Sequence, residues 1–314
     1  MLIGPVPLLI VAVMMWIVLH GPVPAFDFRF AYWSAGHRVL IGESPYTWTA
    51  AQYRGGFAFV YPALSALAFA PTALIARSVG AVVFTLVTAF LAPATLALLG
   101  VRDWRVYGVT LVWLPICAGW LTANESLFLM LGLAGVWRWR ERPGIAGLLT
   151  AVMISLKPIM WPVMLWLLVT RRWRASAETV LYGLLLNVVA WSVVGFGQLG
   201  AYLHATAKDT AVAWRTGFGV PALVGHLGAG RTVGIALMLA LAVALLVATV
   251  YSGFVRRNEV QALTLTVALT LVASPLVWGH YLTLLLVPLA LLRPRLNWLW
   301  IVPVLMWVCP PDVR

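Results

Sequence analysis

Apolar runs recur from one end of the chain to the other, separated by short arginine clusters, and this rhythm fixes the solvent in which the chain folds. A hydrocarbon core about 30 Å thick is crossed by about 20 apolar residues in helical form. Helices also satisfy every backbone polar group internally, as lipid demands. Of 314 residues, 63% are hydrophobic and 10% charged, against roughly 45–50% and about 25% in a soluble domain. The longest stretch without an apolar run is about 40 residues, too short for a separate soluble domain. A single integral membrane domain over residues 1–314 is therefore expected: all-α, polytopic, with about 10–12 transmembrane or half-spanning helices. The net charge of +12 does not point to nucleic acid, because the arginines sit between apolar runs as topology signals. Cys117 and Cys309 lie far apart in apolar segments and form neither a metal-ligand spacing nor a disulfide framework.

Basic clusters at Arg102 and Arg105, Arg138 to Arg142, Arg171 to Arg174, Arg256 and Arg257, and Arg293 and Arg295 mark the expected cytoplasmic loops. Between them the chain must cross in pairs: 106–121 out and 124–137 back, with 144–156 and 158–170 forming a short hairpin tipped by Lys157 and Pro158. Further on, 176–194, 231–250, 260–274, 281–292 and 297–309 alternate in direction. Leu2 to Leu19 lacks a basic leader and a small-residue cleavage site, so it reads as a retained helix. Parity then requires an odd number of crossings between Asp27 and Arg102. Pro62, Pro71 and Arg77 interrupt residues 57–77, so that stretch is expected to lie at the interface or dip in, leaving 79–100 to cross alone. Two long extracytoplasmic segments result, at about 21–60 and about 195–230.

Of the acidic residues, Asp27, Glu43, Glu125 and Asp209 fall on the extracytoplasmic side, and a catalytic carboxylate is sought among them. Asp27 lies in a segment rich in aromatics and arginines, including Arg29, Tyr32, Tyr46 and Trp48. Aromatic faces suit sugar rings and arginine forks suit phosphate, although an interfacial aromatic belt with a helix-capping Asp reads the same way. Asn124 and Glu125 open a helix, either as a cap or as a polar group facing water. Lys157 is an anion ligand or a lysine snorkelling to the interface. Trp278 and His280, after Ser274-Pro275, form a turn at the outer end of an apolar run, or a phosphate donor site. Tyr202, His204, Lys208, Asp209, Trp214 and Arg215 lie in the other long extracytoplasmic segment.

Taken in order, these islands resemble glycosyltransferase family 87. Asp27-Phe28 with Tyr32, Ala35, Gly42, Pro45 and Tyr46 looks like the family's first loop, and Phe59 to Pro62, including Tyr61, like the start of its tyrosine-proline-proline segment. Asn124 falls where the family often has a glycine-glutamine-x-asparagine element, followed by Gly144 to Gly147, Lys157-Pro158 and Arg171 to Arg174. Ser274-Pro275, Trp278 and His280-Tyr281 are similar to its late serine-proline, tryptophan and histidine pattern. The likeness runs from about residue 25 to 292. Ala63, Ala123 and Glu125 depart from the pattern.

The resemblance implies a C-type membrane glycosyltransferase, multi-pass in the plasma membrane, with its site on the extracytoplasmic face. Its donor would be a polyprenyl-phosphate sugar, mannose before arabinofuranose, and its acceptor a glycan or glycolipid. It implies Asp27 as general base; Arg29, Lys157 and His280 become candidates for the donor phosphate. Tyr32, Tyr46, Tyr61, Asn124, Glu125 and Trp278 would line the substrate site. No cofactor and no metal is expected, because no clustered ligand set is present. A transporter or lipid-sugar flippase is the competing reading, since many carriers also have ten or more helices and few charges. Against it, the acids lie in loops rather than at a midplane, and no internal repeat is found.

Overall fold

The computed structural model describes residues 25–54 and 58–307, together with 9, 12, 13 and 16. Most of the expected first helix, Cys309 and Asp312 lie outside the described residues. Among those described, all regular structure is helical, as lipid solvent requires. After a π-helical turn, Asp27–Tyr32, come α1 (Trp33–Leu40), α2 (Ala50–Arg54) and α3 (Ala63–Phe69), the last running into a 3-10 turn, Ala70–Leu74. Then follow α4 (Arg77–Leu98), α5 (Trp104–Thr110), α6 (Leu114–Thr122), α7 (Ser126–Arg138), α8 (Pro143–Leu156), α9 (Pro162–Val169) and α10 (Trp173–Val194). The C-terminal part holds α11 (Leu199–Thr216), α12 (Val220–His226), α13 (Arg231–Val250), α14 (Glu259–Val272), α15 (Leu286–Leu292) and α16 (Val302–Leu305).

Among the described residues, three helices are long and apolar enough to cross a membrane: α4, α10, and α13 with its π-helical extension to Val255. At about 1.5 Å per residue, 22 residues reach about 33 Å. Only 17% of the apolar window of α10 is buried, and the same holds for α13. Leu184, Val188, Val193, Val243 and Val247 are all more than half exposed. Such outward apolar faces suit lipid and would aggregate in water. Buried threonines satisfy their hydroxyls within their own helices. Thr85, Thr95, Thr110 and Thr150 donate to carbonyls four residues back, and buried indoles find carbonyls too: Trp113 on Trp300 at 2.9 Å and Trp120 on Thr85 at 3.0 Å.

Short helices occupy the interior. The Ala63–Leu74 stretch spans twelve residues, or about 18 Å, whereas α4 alone has the length to cross. Residues 106–121 form two helices rather than the single expected one: the chain turns at 111–113, and α6 restarts with Pro115 in its first turn, where a missing N–H is harmless. Residues 297–309, expected to cross last, hold only the 3-10 turn Trp298–Trp300 and four-residue α16 within the described part. The two long segments between spans are themselves helical, built from α1, α2, α11 and α12.

Two apolar clusters carry the packing. The larger joins α4 to α9 with α14 and α15 through Leu96, Trp113, Met130, Leu133, Trp166 and Val287. The smaller gathers Phe28, Tyr32, Phe59, Phe69 and Trp191. Here α1 approaches α3 so closely that a Cβ on Gly36 would sit 2.7 Å from the Phe69 carbonyl carbon. That contact stacks Tyr32 on Phe69, ring centroids 4.3 Å apart, and so fixes the floor of a polar cluster.

Candidate active site

The polar cluster forms where short helices end. Left-handed backbone at Ala25 (φ 55°) turns the chain into the π-helical turn that begins with Asp27; π-turns are frequent at functional sites. Ala123 is also left-handed (φ 51°) and closes α6, so that Asn124 and Glu125 face inward before α7 starts. α8 stops at Leu156 because Lys157 precedes Pro158 and takes extended backbone, φ −145° and ψ 100°.

These ends converge. Asn124 Nδ2 donates to Asp27 Oδ2 at 2.6 Å and to Tyr32 Oη at 3.0 Å, while its Oδ1 accepts from the Ser126 N–H at 2.8 Å. All polar positions of this fully buried amide are thereby assigned, and the amide orientation is fixed. Tyr32 also accepts from the Glu125 N–H and donates to Tyr61 Oη at 3.1 Å, leaving Tyr61 its own proton to donate. Thr122 adds a further side-chain hydrogen bond to Asp27.

Lys157 is the cation of the cluster. Its ammonium lies 3.8 Å from Glu125 Oε1 and 3.3 Å from Ser126 Oγ, capped by the Tyr281 ring at 3.8 Å and the Tyr61 ring at 5.2 Å. Both charged side chains are almost fully buried. The Lys157–Glu125 contact is Coulombic rather than a hydrogen bond, and Oε1 has no hydrogen-bond partner. The other carboxylate oxygen, Oε2, accepts from Ser65 at 3.4 Å. His280, facing Gly119 of α6, lies within electrostatic reach of Lys157, and its Nε2 is buried without a partner.

Asp209, on α11, joins from the side. The link between α11 and α12 is hydrogen-bonded to the Ser274–Trp278 turn through the Phe218 N–H and Val277 carbonyl, 2.7 Å apart. Trp278 hydrogen-bonds the Asp209 carboxylate. Burial raises the Asp27 pKa above its ordinary value, opposed by the Asn124 hydrogen bond and the Lys157 charge. Burial, with the like charge of Asp27, lifts Asp209 to about 6.

The sequence-derived candidates therefore separate. Asp27, Tyr32, Tyr61, Asn124, Glu125 and Lys157 form one network, which His280 and Trp278 border. Tyr46 bonds the Tyr61 carbonyl at 2.9 Å and packs on Trp191 and Tyr202, so it supports the network from behind. The Arg29 side chain takes no part in these bonds among the described residues, and its Nε is buried without a partner. Ser65 and Ser126 were not foreseen. Ser126 was legible as the neighbour of Asn124-Glu125, but Ser65 carries no sequence signal.

The arrangement offers a carboxylate with a raised proton affinity, a buried ammonium able to meet an anion, and aromatic walls. No curated protein and no solved structure matches the chain. A family model, described as glycosyltransferase family 87, matches residues 59–275. The matched span contains Tyr61, Asn124, Glu125, Lys157 and Asp209; Asp27 and Tyr32 precede it, and Trp278 and His280 follow it. Because the match covers most of the chain and the described helices are those of a polytopic membrane protein, the chain belongs to glycosyltransferase family 87.

Proposed function

We propose that this membrane glycosyltransferase moves a sugar, mannose before arabinofuranose, from a polyprenyl-phosphate donor to a glycan or glycolipid on the extracytoplasmic side of the plasma membrane. The observation that carries this reading is the Asp27 carboxylate, held by Asn124 at 2.6 Å in the same buried network as Lys157. A lipid-phosphate sugar arrives with its leaving group attached. The acceptor hydroxyl oxygen attacks the anomeric carbon, the bond from that carbon to the phosphate oxygen breaks, and the bonding pair leaves with the polyprenyl phosphate. Asp27 takes the hydroxyl proton. One displacement inverts the centre, so a β-linked mannosyl donor gives an α-linked product.

Lys157 is suited to the departing phosphate because its ammonium meets Glu125 only at 3.8 Å and keeps protons to donate. The unpartnered His280 Nε2 supplies a second contact. Such groups act most strongly where water is excluded. Tyr61, Trp278 and Asp209 are suited to sugar hydroxyls and ring faces, and Tyr32 and Asn124 orient the base. Arg29 Nε, buried and unpartnered, is a phosphate contact only for a ligand that reaches behind Asp27.

The test is transfer from labelled polyprenyl-phosphate mannose and polyprenyl-phosphate arabinofuranose in membranes carrying wild type or Asp27→Asn at matched expression. Loss of a general base costs roughly 10²- to 10⁴-fold, and that loss with one of the two donors is the expected result. Equal transfer by both proteins removes Asp27 as the base; no transfer from either donor removes the donor class.

A further inference from the structure

The arginine-rich end of the bundle, which the positive-inside rule puts at the cytoplasmic side, holds a feature unconnected with sugar transfer. A cavity of about 160 Å³ opens between the α9–α10 turn and the α13–α14 turn, lined by Thr170, Arg171, Gly253, Arg257 and Glu259. Its acid is already engaged: Glu259 takes Arg140 Nε at 3.0 Å and Arg172 Nη2 at 2.8 Å. Arg171 and Arg257 have no carboxylate partner among the described ion pairs; Arg171 instead lies over the Phe254 ring, 4.8 Å from its centroid. The cavity therefore carries uncompensated positive charge.

Two further observations separate it from an ordinary basic loop. Arg172, the neighbour that grips Glu259 in the cavity wall, is nine-tenths buried, and its Nη1 is buried with no hydrogen-bond partner. A buried guanidinium nitrogen left unpaired is costly. Moreover, Arg171 (φ 63°) and Arg257 (φ 52°) both occupy left-handed backbone, where glycine is the unstrained residue. Both turns would form better with glycine, yet both place a guanidinium at the cavity. Gly253 holds the wall in place: a Cβ there would meet Val169 Cγ2 at 2.5 Å.

We propose that this cavity binds a phosphate-bearing anion through Arg171 and Arg257. The same chemistry is available from the head group of an acidic phospholipid in the cytoplasmic leaflet and from free phosphate. Guanidinium forks match phosphate oxygens, and basic pockets between membrane helices are suited to lipid head groups.

The test follows the thermal midpoint of the purified full-length chain in mixed micelles while phosphatidylglycerol, phosphatidylcholine or inorganic phosphate is titrated. Each arginine near an anionic head group is worth about fivefold in affinity, so Arg171→Gly with Arg257→Gly is expected to shift the phosphatidylglycerol response to about 25-fold higher concentration. Glycine relaxes both turns, so the ligand-free midpoint should hold or rise. If it falls, Arg257→Asn, which also tolerates left-handed backbone, is expected to give about a fivefold shift alone. Arg142→Gln, an exposed arginine of the same face, serves as the charge control and should leave the response unchanged. A response to phosphatidylglycerol alone identifies a lipid head group. A matching response to inorganic phosphate with the same variant dependence identifies free phosphate. The proposal is overturned if no anion shifts the wild type, or if Arg142→Gln weakens the response as much as the cavity variants.

Discussion

Replacing Lys157 with methionine separates what the lysine does for the fold from what it does for the donor. Lys157 and Glu125 are both almost completely buried and 3.8 Å apart, with no hydrogen bond between them. Removing one partner of a buried pair typically costs about 3–5 kcal/mol, because the remaining charge is left without compensation. The long separation argues for the low end, about 3 kcal/mol. Glu125→Gln alone strands the ammonium and should cost a similar amount. The double variant Lys157→Met with Glu125→Gln removes both charges at nearly constant volume, and its thermal midpoint should return close to wild type. Sugar transfer should not return with it: the refolded double variant should show a weaker donor KM and a lower kcat, since the phosphate has lost its cation. Thermal unfolding in detergent and a donor titration on the same preparations measure both quantities. If Lys157→Met leaves the midpoint unchanged, or if the double variant is less stable than either single variant, the pair is not an ion pair in the folded protein. If the double variant transfers sugar normally, Lys157 is not the phosphate ligand.

Ala123→Gly should raise the thermal midpoint, because Ala123 sits at φ 51° and left-handed backbone costs a β-carbon about 1 kcal/mol; a fall would refute the strain. Gly36→Ala should destabilise the fold by about 1–3 kcal/mol, since the new Cβ meets the Phe69 backbone at 2.7 Å; denaturant unfolding and transfer activity report the displacement. Asp209 has a pKa raised to about 6 from 3.8, so the folded state binds its proton more tightly than the unfolded chain. The stabilisation from that proton is complete below about 4 and lost as pH rises through about 6. Asp209→Asn should therefore raise the midpoint at pH 7.5 and give no gain at pH 4, and a pH-independent difference would refute the burial of this carboxylate.

Much of the fold was legible because lipid leaves few choices: apolar runs with arginine punctuation become helices. Breaks inside runs were harder. Residues 106–121 read as one span, whereas the chain turns just before Pro115 and uses the proline to restart. The polar segments around Trp33–Leu40 and Leu199–Thr216 were read as loops, yet both are helical; packing of Gly36 and Ala35 against the Phe69 turn stabilises the first. At the site, Asn124, Glu125, Lys157 and His280 stand out because they interrupt apolar runs, and Asp27 because of its aromatic, arginine-rich segment. Their partners do not. Asn124 and Asp27 are 97 positions apart, and nothing in spacing tells that one amide joins Asp27 to Tyr32. Arg29, a candidate for the donor phosphate, stands outside the network.

α8 and α10 pack side by side, and both begin at the arginine-rich end of the bundle, but α8 ends at Leu156 after 14 residues while α10 runs for 22. Thr179 bonds the Gly147 carbonyl and Asn187 bonds Ser155, so Lys157 stands level with about Val189 and, at about 1.5 Å per residue, about 8 Å short of the far end of α10. For the lipid-linked donor proposed above, the phosphate would have to descend into the protein to meet the ammonium. On the proposed reading, helix length acts as a depth gauge, suited to a substrate that can sink its head group while its tail stays in the hydrocarbon.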